Sequence, residues 1–342
     1  MKALRYLGPQ KLLVQEQPEP AIKEDEVLIK IMASGICGSD VHGYLGLTGR
    51  RIAPMTMGHE FSGQIVKLGS KVTLFDLGVR VIVQPLNFCG KCVYCQQGNT
   101  NMCVNSKLFG VMAVDGAIAE YLAVPEKLLF TLPQKCSYEI GAMAEPFAVA
   151  YSAVKKAGDL KNKSILIVGA GTIGLCILQL VKLLNPKLII VSDLSDHRLK
   201  VAAELGADRT INPKNQDYLE LVKRFTDENM IDLSFEAVGL AAAANQSLKV
   251  LKKMGTSIWV GNSARDIEIN MQDIVTSALK IFGTYIYTHK EFGEVIEIIG
   301  TGNLKTDKLI SKIISLEESP EAFAEIHRHP DSFIKVIIDP TK

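Results

Sequence analysis

Four cysteines stand close together in the segment CGKCVYCQQGNTNMC, residues 89–103. They are Cys89, Cys92, Cys95 and Cys103, and the whole chain has seven cysteines. Such a cluster can form two disulfides, a redox pair or a metal site. Two successive C-x-x-C turns and a fourth thiol are typical of structural zinc, because four thiolates fill its tetrahedral coordination and leave no position for a substrate. We therefore predict a structural zinc here and expect the chemistry elsewhere.

Further candidate ligands occur in three separate segments of the chain. Cys37 lies in SGICGSD, His59 and Glu60 lie in MGHEF, and Glu145 lies in AMAEPF. Thiolate, imidazole and carboxylate all bind zinc, and a catalytic zinc site has three protein ligands and one exchangeable position. Spacing alone does not join residues so far apart. Taken singly, each could equally be a buried small residue, a hydrogen-bonded histidine or a solvated acid.

A glycine-rich turn follows an apolar run in ILIVGAGTIGLCILQL. Gly169, Gly171 and Gly174 form G-x-G-x-x-G between a predicted strand and a predicted helix. The first glycine permits a tight turn, the second lets a pyrophosphate approach the backbone, and the third lets helix and strand pack closely. Thr172 and Ile173 begin the helix, where free N–H groups and the helix dipole favour a phosphate. The motif predicts a dinucleotide site.

The acidic residue that ends the next strand indicates which dinucleotide binds. Asp193 closes the run LIIVSD, 19 residues after Gly174. A carboxylate at this place accepts hydrogen bonds from the adenosine ribose and repels a 2′-phosphate. We therefore expect NAD, with NADP as the alternative because His197 and Arg198 follow closely.

The pattern of apolar runs predicts two domains that carry these motifs. Residues 1–147 contain short apolar runs broken by Gly and Pro, which is typical of a mostly β domain. In residues 148–287, apolar strands alternate with helical segments, which predicts an α/β domain with a doubly wound parallel sheet. Residues 288–342 return to a mixed pattern, with two helices and a last strand in FIKVIID, and are expected to complete the first domain.

Composition excludes several classes of function. At 342 residues the chain exceeds the usual size of one core, and its 38 basic and 37 acidic residues give a net charge of +1. Because no basic block is present, a nucleic-acid partner is not expected. The sequence shows neither a signal peptide nor an apolar run of about 18 residues that could span a membrane. We expect a cytoplasmic protein, and a reducing cytoplasm favours metal over disulfides at the cysteine cluster.

Several motifs together resemble one enzyme family. GHEFSGQIVKLGSKV fits G-H-E-x2-G-x5-G-x2-V, and with CGSD, the four-cysteine segment, the E-P pair and VGAGTIG the chain resembles the zinc-containing medium-chain alcohol and polyol dehydrogenases over essentially its whole length. It is most similar to the sorbitol, butanediol, threonine and polyol-phosphate dehydrogenase branch. The resemblance implies a GroES-like first domain and a Rossmann second domain. One departure, Gly78-Val79-Arg80-Val81 in place of G-D-R-V, concerns only a local loop.

The resemblance also implies a catalytic zinc and its ligands. Cys37 and His59 match two ligands of the family. The third is Glu145 if the chain follows the polyol branch, or Glu60 if it follows members that use the Glu of G-H-E, and the two could exchange with water.

A proton relay is implied by the same resemblance. Ser39 and His42 match a relay that runs through the nicotinamide ribose, although a capping serine and a surface histidine would look the same in the sequence. The implied reaction is interconversion of a secondary alcohol (polyol, diol or polyol phosphate) and its ketone, in which zinc lowers the pKa of the substrate hydroxyl. The resemblance further implies a homo-oligomer, a tetramer or dimer.

Three alternatives to this function differ in their sequence requirements. A non-catalytic NAD-binding relative is expected to lose Cys37 or His59, and a zinc-free quinone reductase lacks the four-cysteine segment. Both features are present in this chain. A threonine-type amino-alcohol dehydrogenase has the same motifs, so the sequence leaves the substrate open.

Overall fold

The chain forms two compact units in the computed structural model, which describes residues Met1–Lys342. The first unit is Met1–Glu145 together with Thr288–Lys342, and the second is Pro146–Tyr287. The first boundary lies two residues before the predicted one at 147. No helix combines the length and the apolar character needed to cross a membrane.

The backbone folds into strands, α-helices and a few short 3-10 helices. The strands are β1 Lys2–Gly8, β2 Lys11–Glu16, β3 Glu26–Ile36, β4 Met55–Thr56, β5 Glu60–Leu68, β6 Arg80–Val83, β7 Leu86–Asn87, β8 Lys107–Leu108, β9 Tyr121–Pro125, β10 Leu129–Thr131, β11 Ser164–Val168, β12 Leu188–Ser192, β13 Arg209–Ile211, β14 Ile231–Glu236, β15 Leu251–Trp259, β16 Lys280–Gly283, β17 Ile310–Ser315 and β18 Lys335–Asp339. The α-helices are α1 Gly38–Tyr44, α2 Val93–Gln96, α3 Tyr138–Ala142, α4 Ala144–Ala157, α5 Thr172–Lys182, α6 Asp196–Leu205, α7 Tyr218–Phe225, α8 Ala241–Lys249, α9 Met271–Thr276, α10 His289–Gly300 and α11 Ser319–Arg328. The 3-10 helices span Thr100–Met102, Glu126–Leu128, Thr306–Leu309 and Pro330–Ser332.

The first unit is mostly β, as predicted. Its largest sheet has seven strands in the order β10-β6-β5-β3-β18-β17, with β9 also paired to β3. Smaller sheets are β2-β1-β4 and β7-β8. The central strand β3 is mostly apolar and is buried along almost its whole length.

The last strand of the chain completes this sheet. Strand β18 runs antiparallel to β3, with Val336 opposite Ile36. On the other side β3 runs antiparallel to β5, with Gly35 opposite Glu60. The predicted late helices and last strand are confirmed as α10, α11 and β18. The two ends of the first unit are therefore joined through one sheet.

The second unit is the predicted parallel α/β fold. Its six strands lie in the order β13-β12-β11-β14-β15-β16, and all neighbours are parallel. Strand β11, sequence SILIV, is buried throughout, which explains its unbroken apolar run. The strand order reverses between β11 and β14, and ligands of such sheets bind where the order reverses, at the carboxyl ends of the strands. The glycine-rich turn leaves β11 at this place.

Candidate active site and metal centres

Sheet pairing brings three of the predicted zinc ligands together. Cys37 follows the end of β3 and caps α1, while His59 and Glu60 lie at the start of β5. Because β3 and β5 are antiparallel, the end of one strand meets the beginning of the other. One ligand atom from each of the three residues lies within 4.8 Å of the others. His59 and Glu60 are buried, and Cys37 is partly exposed.

A buried carboxylate on α1 supports this group. Asp40 is the N3 residue of α1, and its Oδ2 accepts a hydrogen bond of 3.3 Å from the backbone N–H of Cys37. The same Oδ2 lies 3.5 Å from His59 Nδ1, near enough for electrostatic interaction but without good hydrogen-bond geometry. Nδ1 thus faces Asp40, which leaves Nε2 as the ring nitrogen available to a metal.

Arg51 completes the surroundings of Asp40. Its Nη2 donates a hydrogen bond of 2.7 Å to Asp40 Oδ1, and both side chains are almost fully buried. Burial alone would raise the pKa of Asp40, but His59 and Arg51 outweigh it and hold that pKa below its usual range. Burial alone would lower the pKa of His59, and the Asp40 carboxylate reverses this and raises it. Asp40 is therefore a carboxylate in the folded protein.

Glu60 is held by a buried lysine from the last strand. Lys335 Nζ donates to Glu60 Oε1 at 2.8 Å, to Glu60 Oε2 at 2.6 Å and to the Ile36 carbonyl at 3.0 Å. Both charged side chains are 2% exposed. Burial would lower the pKa of Lys335, but Glu60 outweighs this and raises it. Gly35 lies opposite Glu60, and a Cβ there would overlap the Glu60 carboxylate.

Glu145 lies outside the group of three ligand atoms. It is the second residue of α4 and is buried. Its charge contributes to raising the pKa of Lys335, after the larger effects of Glu60 and Cys37. Both carboxylates that the sequence offers as a third zinc ligand therefore raise the pKa of Lys335, and Lys335 forms hydrogen bonds with one of them, Glu60.

The predicted relay residues lie on α1, beside the group of ligands. Ser39 and His42 are three positions apart, which places them on one face of the helix. Ser39 is exposed and His42 is partly exposed. Ser39 Oγ accepts a weak hydrogen bond of 3.4 Å from Arg51 Nη2, so its own O–H remains a donor.

The four predicted cysteines of the second metal site converge on one point. The sulfur atoms of Cys89, Cys92, Cys95 and Cys103 lie within 4.8 Å of one another, and none forms a disulfide. The backbone N–H of Cys89 donates to Cys103 Sγ at 3.3 Å. Backbone N–H groups of Lys91 and Cys92 lower the pKa of the Cys89 thiol to about 6. We call this segment, residues 89–103, the cysteine lobe.

Both groups of side chains fit zinc by their chemistry. Zinc binds thiolate sulfur at about 2.3 Å and imidazole nitrogen or carboxylate oxygen at about 2.0–2.2 Å, so tetrahedral ligand atoms lie roughly 3.5 Å apart. Separations below 4.8 Å need only small adjustments to reach this value. The four-thiolate group matches a closed structural site, and the Cys37, His59 and Glu60 group leaves a fourth position open.

The cysteine lobe is connected to the start of the C-terminal segment. The backbone N–H of His289 donates to Thr100 Oγ1 at 2.8 Å, and His289 Nδ1 lies 2.5 Å from Gln84 Oε1. The imidazole also packs against the rings of Phe88 and Phe130. The hydrogen bond with Thr100 thus attaches the lobe to His289, the residue that opens α10.

The glycine-rich turn in the second unit fits a pyrophosphate. Gly169 has φ +98°, which favours glycine, and a Cβ on Gly174 would overlap the Gly169 carbonyl. A Cβ on Gly171, by contrast, would meet no atom within 4 Å, so this glycine leaves open space beside the turn. Gly171 caps α5, and Thr172 and Ile173 are partly exposed while residues 174–181 of the helix are buried. The N-terminal end of this helix, with the positive end of its dipole, is therefore accessible to an anion.

Asp193 is held beside the same turn. Its Oδ2 accepts a hydrogen bond of 2.7 Å from the Ala170 N–H, and its Oδ1 accepts one of 2.8 Å from the Ser195 N–H. Arg198 lies in the first turn of α6, where its backbone N–H donates to Ser195 Oγ. The carboxylate is thus fixed at the end of β12, close to the place where a dinucleotide ribose is expected.

Three residues that the sequence did not indicate contribute to the site: Asp40, Arg51 and Lys335. Asp40 stands three residues after the capping Cys37 and forms a capping box with it, but C-x-x-D does not match the usual S/T-x-x-E/Q signature and so gave no signal in the sequence. Lys335 interrupts the apolar run FIKVII, and a lysine in a buried strand requires a partner. Arg51 follows another arginine in a loop and gives no signal in the sequence.

Family models match both units of the chain. The model of the alcohol dehydrogenase GroES-like domain matches residues 23–134, and that of the zinc-binding dehydrogenases matches residues 172–301. A sorbitol dehydrogenase of Bacillus subtilis (strain 168) is 33% identical over 100% of this chain and 98% of its own. A D-arabitol-phosphate dehydrogenase of Enterococcus avium is 33% identical over 94% of this chain and 91% of its own.

Solved structures share the whole fold. Galactitol-1-phosphate dehydrogenase from Escherichia coli superposes with a TM-score of 0.93 at 29% identity, covering 99% of this chain and 100% of that one. A protein from Sinorhizobium meliloti 1021 bound to NADP gives a TM-score of 0.90 at 30% identity. An alcohol dehydrogenase from Escherichia coli CFT073 in complex with NADH gives 0.91 at 30% identity. For both, the match covers 99% of each chain.

Proposed function

The chain belongs to the zinc-type alcohol and polyol dehydrogenase family, and on that premise we propose that it interconverts a secondary alcohol and the corresponding ketone by hydride transfer with NAD. The observation that carries the proposal is the convergence of Cys37, His59 and Glu60 within 4.8 Å, the donor set of an open zinc site. A polyol, diol or polyol phosphate is the proposed substrate, since relatives are named for sorbitol, arabitol phosphate and galactitol phosphate.

The catalytic metal site is proposed on the first unit. Cys37 and His59 would hold zinc with a carboxylate as the third protein ligand. Glu60 is favoured because its oxygen belongs to the group of close ligand atoms, and Glu145 is the alternative. Zinc bound by this set would act as a Lewis acid on the substrate hydroxyl and lower its pKa toward neutrality.

Residues of the chain would transfer the proton of the substrate hydroxyl to solvent and orient the metal ligands. Asp40 keeps His59 Nδ1 facing away from the metal position. Ser39 and His42 would carry the substrate proton toward solvent, and the exposure of Ser39 with the partial exposure of His42 supports this direction. Ser39 can accept a hydrogen bond from Arg51 and still donate its own proton, as a relay requires.

Dinucleotide binding is proposed for the turn formed by Gly169, Gly171 and Gly174 and the helix that begins at Thr172 and Ile173. The space beside Gly171 supports close approach of a pyrophosphate. Asp193 supports NAD over NADP because its carboxylate would repel a 2′-phosphate. Since structural relatives are bound to either NADP or NADH, Arg198 is the residue that would favour the other cofactor.

The cysteine lobe is proposed to hold a second, structural zinc, which gives two zinc ions per chain. Four mutually close thiols support a closed site without a position for substrate. We further propose a homo-oligomer, tetramer or dimer, in the cytoplasm, where a reducing environment would keep the seven thiols available.

A substrate screen tests the proposed function. Zinc-replete protein is mixed with NAD or NADP and with sorbitol, xylitol, galactitol 1-phosphate, 2,3-butanediol or threonine, and cofactor reduction is followed spectroscopically. We expect turnover of at least one polyol or diol with NAD, and none by Cys37→Ser protein. Turnover of threonine alone would favour an amino-alcohol dehydrogenase. Failure to reduce either cofactor with any alcohol would refute the proposal.

A further inference from the structure

We infer that Arg51 is a positioning residue of the catalytic metal site, which holds the ligands Cys37 and His59 in place through Asp40. The inference rests on the proposed function, because it gives Arg51 a role toward the same zinc. Arg51 itself lies outside the group of metal-binding side chains.

Arg51 differs in burial from the arginine that precedes it. Its side chain is 3% exposed, whereas Arg50, the preceding residue, is exposed. The aliphatic part of Arg51 crosses α1 at Gly43, where a Cβ would overlap Arg51 Cγ. A glycine on α1 therefore makes room for the arginine to reach under the helix to Asp40.

The two oxygens of Asp40 divide their contacts between Arg51 and the ligand residues. Oδ1 accepts from Arg51 Nη2 at 2.7 Å. Oδ2 accepts from the Cys37 backbone at 3.3 Å and faces His59 Nδ1 at 3.5 Å. Because both oxygens belong to one planar carboxylate, holding Oδ1 limits the positions that Oδ2 can take. Arg51 thus determines how Asp40 meets both ligand residues.

The negative charge of Asp40 gives a second reason why an arginine supports this site. Asp40 is fully buried, and a buried carboxylate requires a cation close to it. Arg51 supplies this charge, with Nη2 at 2.7 Å from Asp40 Oδ1. Its planar guanidinium also directs Nη2 toward Ser39 Oγ, a second contact from one nitrogen that fixes the orientation of the group.

Zinc affinity of the full-length protein tests this role without any need for turnover. Competition with a chromophoric chelator should resolve two zinc sites in the native chain. Partners of metal-ligating histidines typically change metal affinity by about 10- to 100-fold. We expect Arg51→Met to lose about that factor at one site only, with the cysteine lobe unchanged. Arg51→Lys should restore only part of the loss, because an ammonium also pairs with Asp40 but lacks the planar guanidinium that reaches Ser39 as well, and Arg50→Met should bind zinc like the native chain.

A double-mutant cycle separates positioning from general destabilisation. If Arg51 acts through Asp40, Arg51→Met should add little to the loss already caused by Asp40→Asn. Additive losses, or an Arg51→Met protein that melts earlier while its zinc affinity is native, would overturn the inference. A native chain that binds zinc only at the cysteine lobe would instead refute the proposed function itself, before any variant is compared.

Discussion

Replacing Lys335 by methionine should test how strongly the last strand supports the proposed metal site. The substitution keeps the length of the side chain but removes the cation that binds both oxygens of Glu60 at 2.6 and 2.8 Å. Because both residues are 2% exposed, Glu60 would remain as a buried carboxylate without a partner. Breaking a buried pair in this way costs about 3–5 kcal/mol. Zinc at the proposed site would supply positive charge of its own beside Glu60, so we expect the lower end of this range with metal and the upper end after its removal.

The assay is denaturant unfolding of full-length protein, with and without zinc, followed by a signal from the first unit. Lys312→Met is the matched control, since Lys312 lies on the neighbouring strand β17 and forms an exposed pair with Glu325 at 4.0 Å. Exposed pairs contribute about 0–1 kcal/mol. Adding Glu60→Gln to Lys335→Met should recover most of the stability, because the buried charge is then gone. Equal costs for Lys335→Met and Lys312→Met would refute the reasoning.

Four further predictions concern single residues. Cys37→Ser should abolish turnover while the affinity for NAD, measured by titration, stays near native; native-like turnover would contradict the proposed metal site. Asp193→Ala should weaken NAD and shift the ratio of kcat/KM values toward NADP, and a native enzyme that already prefers NADP would show that this carboxylate does not decide the choice. Cys95→Ser should lower the melting temperature or the oligomer size and leave KM near native, whereas loss of turnover with unchanged stability would assign the cysteine lobe to catalysis. Burial and Lys127 lower the pKa of His289 in the folded chain. As pH drops below about 6.5, the unfolded chain therefore binds a proton at this histidine more readily than the folded chain does, and the free energy of unfolding should decrease. His289→Gln should flatten this pH dependence, and an unchanged pH profile in the variant would contradict the prediction.

The sequence predicted those parts of the fold whose signal is local. The buried run SILIV, the glycine-rich turn and the periodic helix after it correspond to β11 and α5. The two edge strands of the same sheet, β13 and β16, were not predicted. They have three and four residues, and only one of these seven positions is buried. Such edge strands form because a neighbouring strand offers backbone hydrogen bonds, and their own sequences have no clear hydrophobic pattern.

The site depends more heavily on contacts between distant residues. Spacing could not join Cys37 to His59, and only the family resemblance suggested it. The register of β3 with β5 supplies the physical reason, because it places Gly35 opposite Glu60. Arg51 and Lys335 were not predicted, since their partners lie 11 and 275 residues away. Hydrophobic periodicity carries no information about such pairs.

The position of β18 imposes an order on the assembly of the protein during synthesis. Cys37, His59 and Glu60 leave the ribosome long before Lys335, which follows Glu60 by 275 residues and lies on the strand that must pair with β3. The second unit is one continuous segment, Pro146–Tyr287, and can complete its sheet while the first unit still waits for its final strand. Pairing over so large a sequence separation is slow. A chain interrupted shortly before residue 335 should therefore fold its dinucleotide-binding unit and yet leave Glu60 without its lysine.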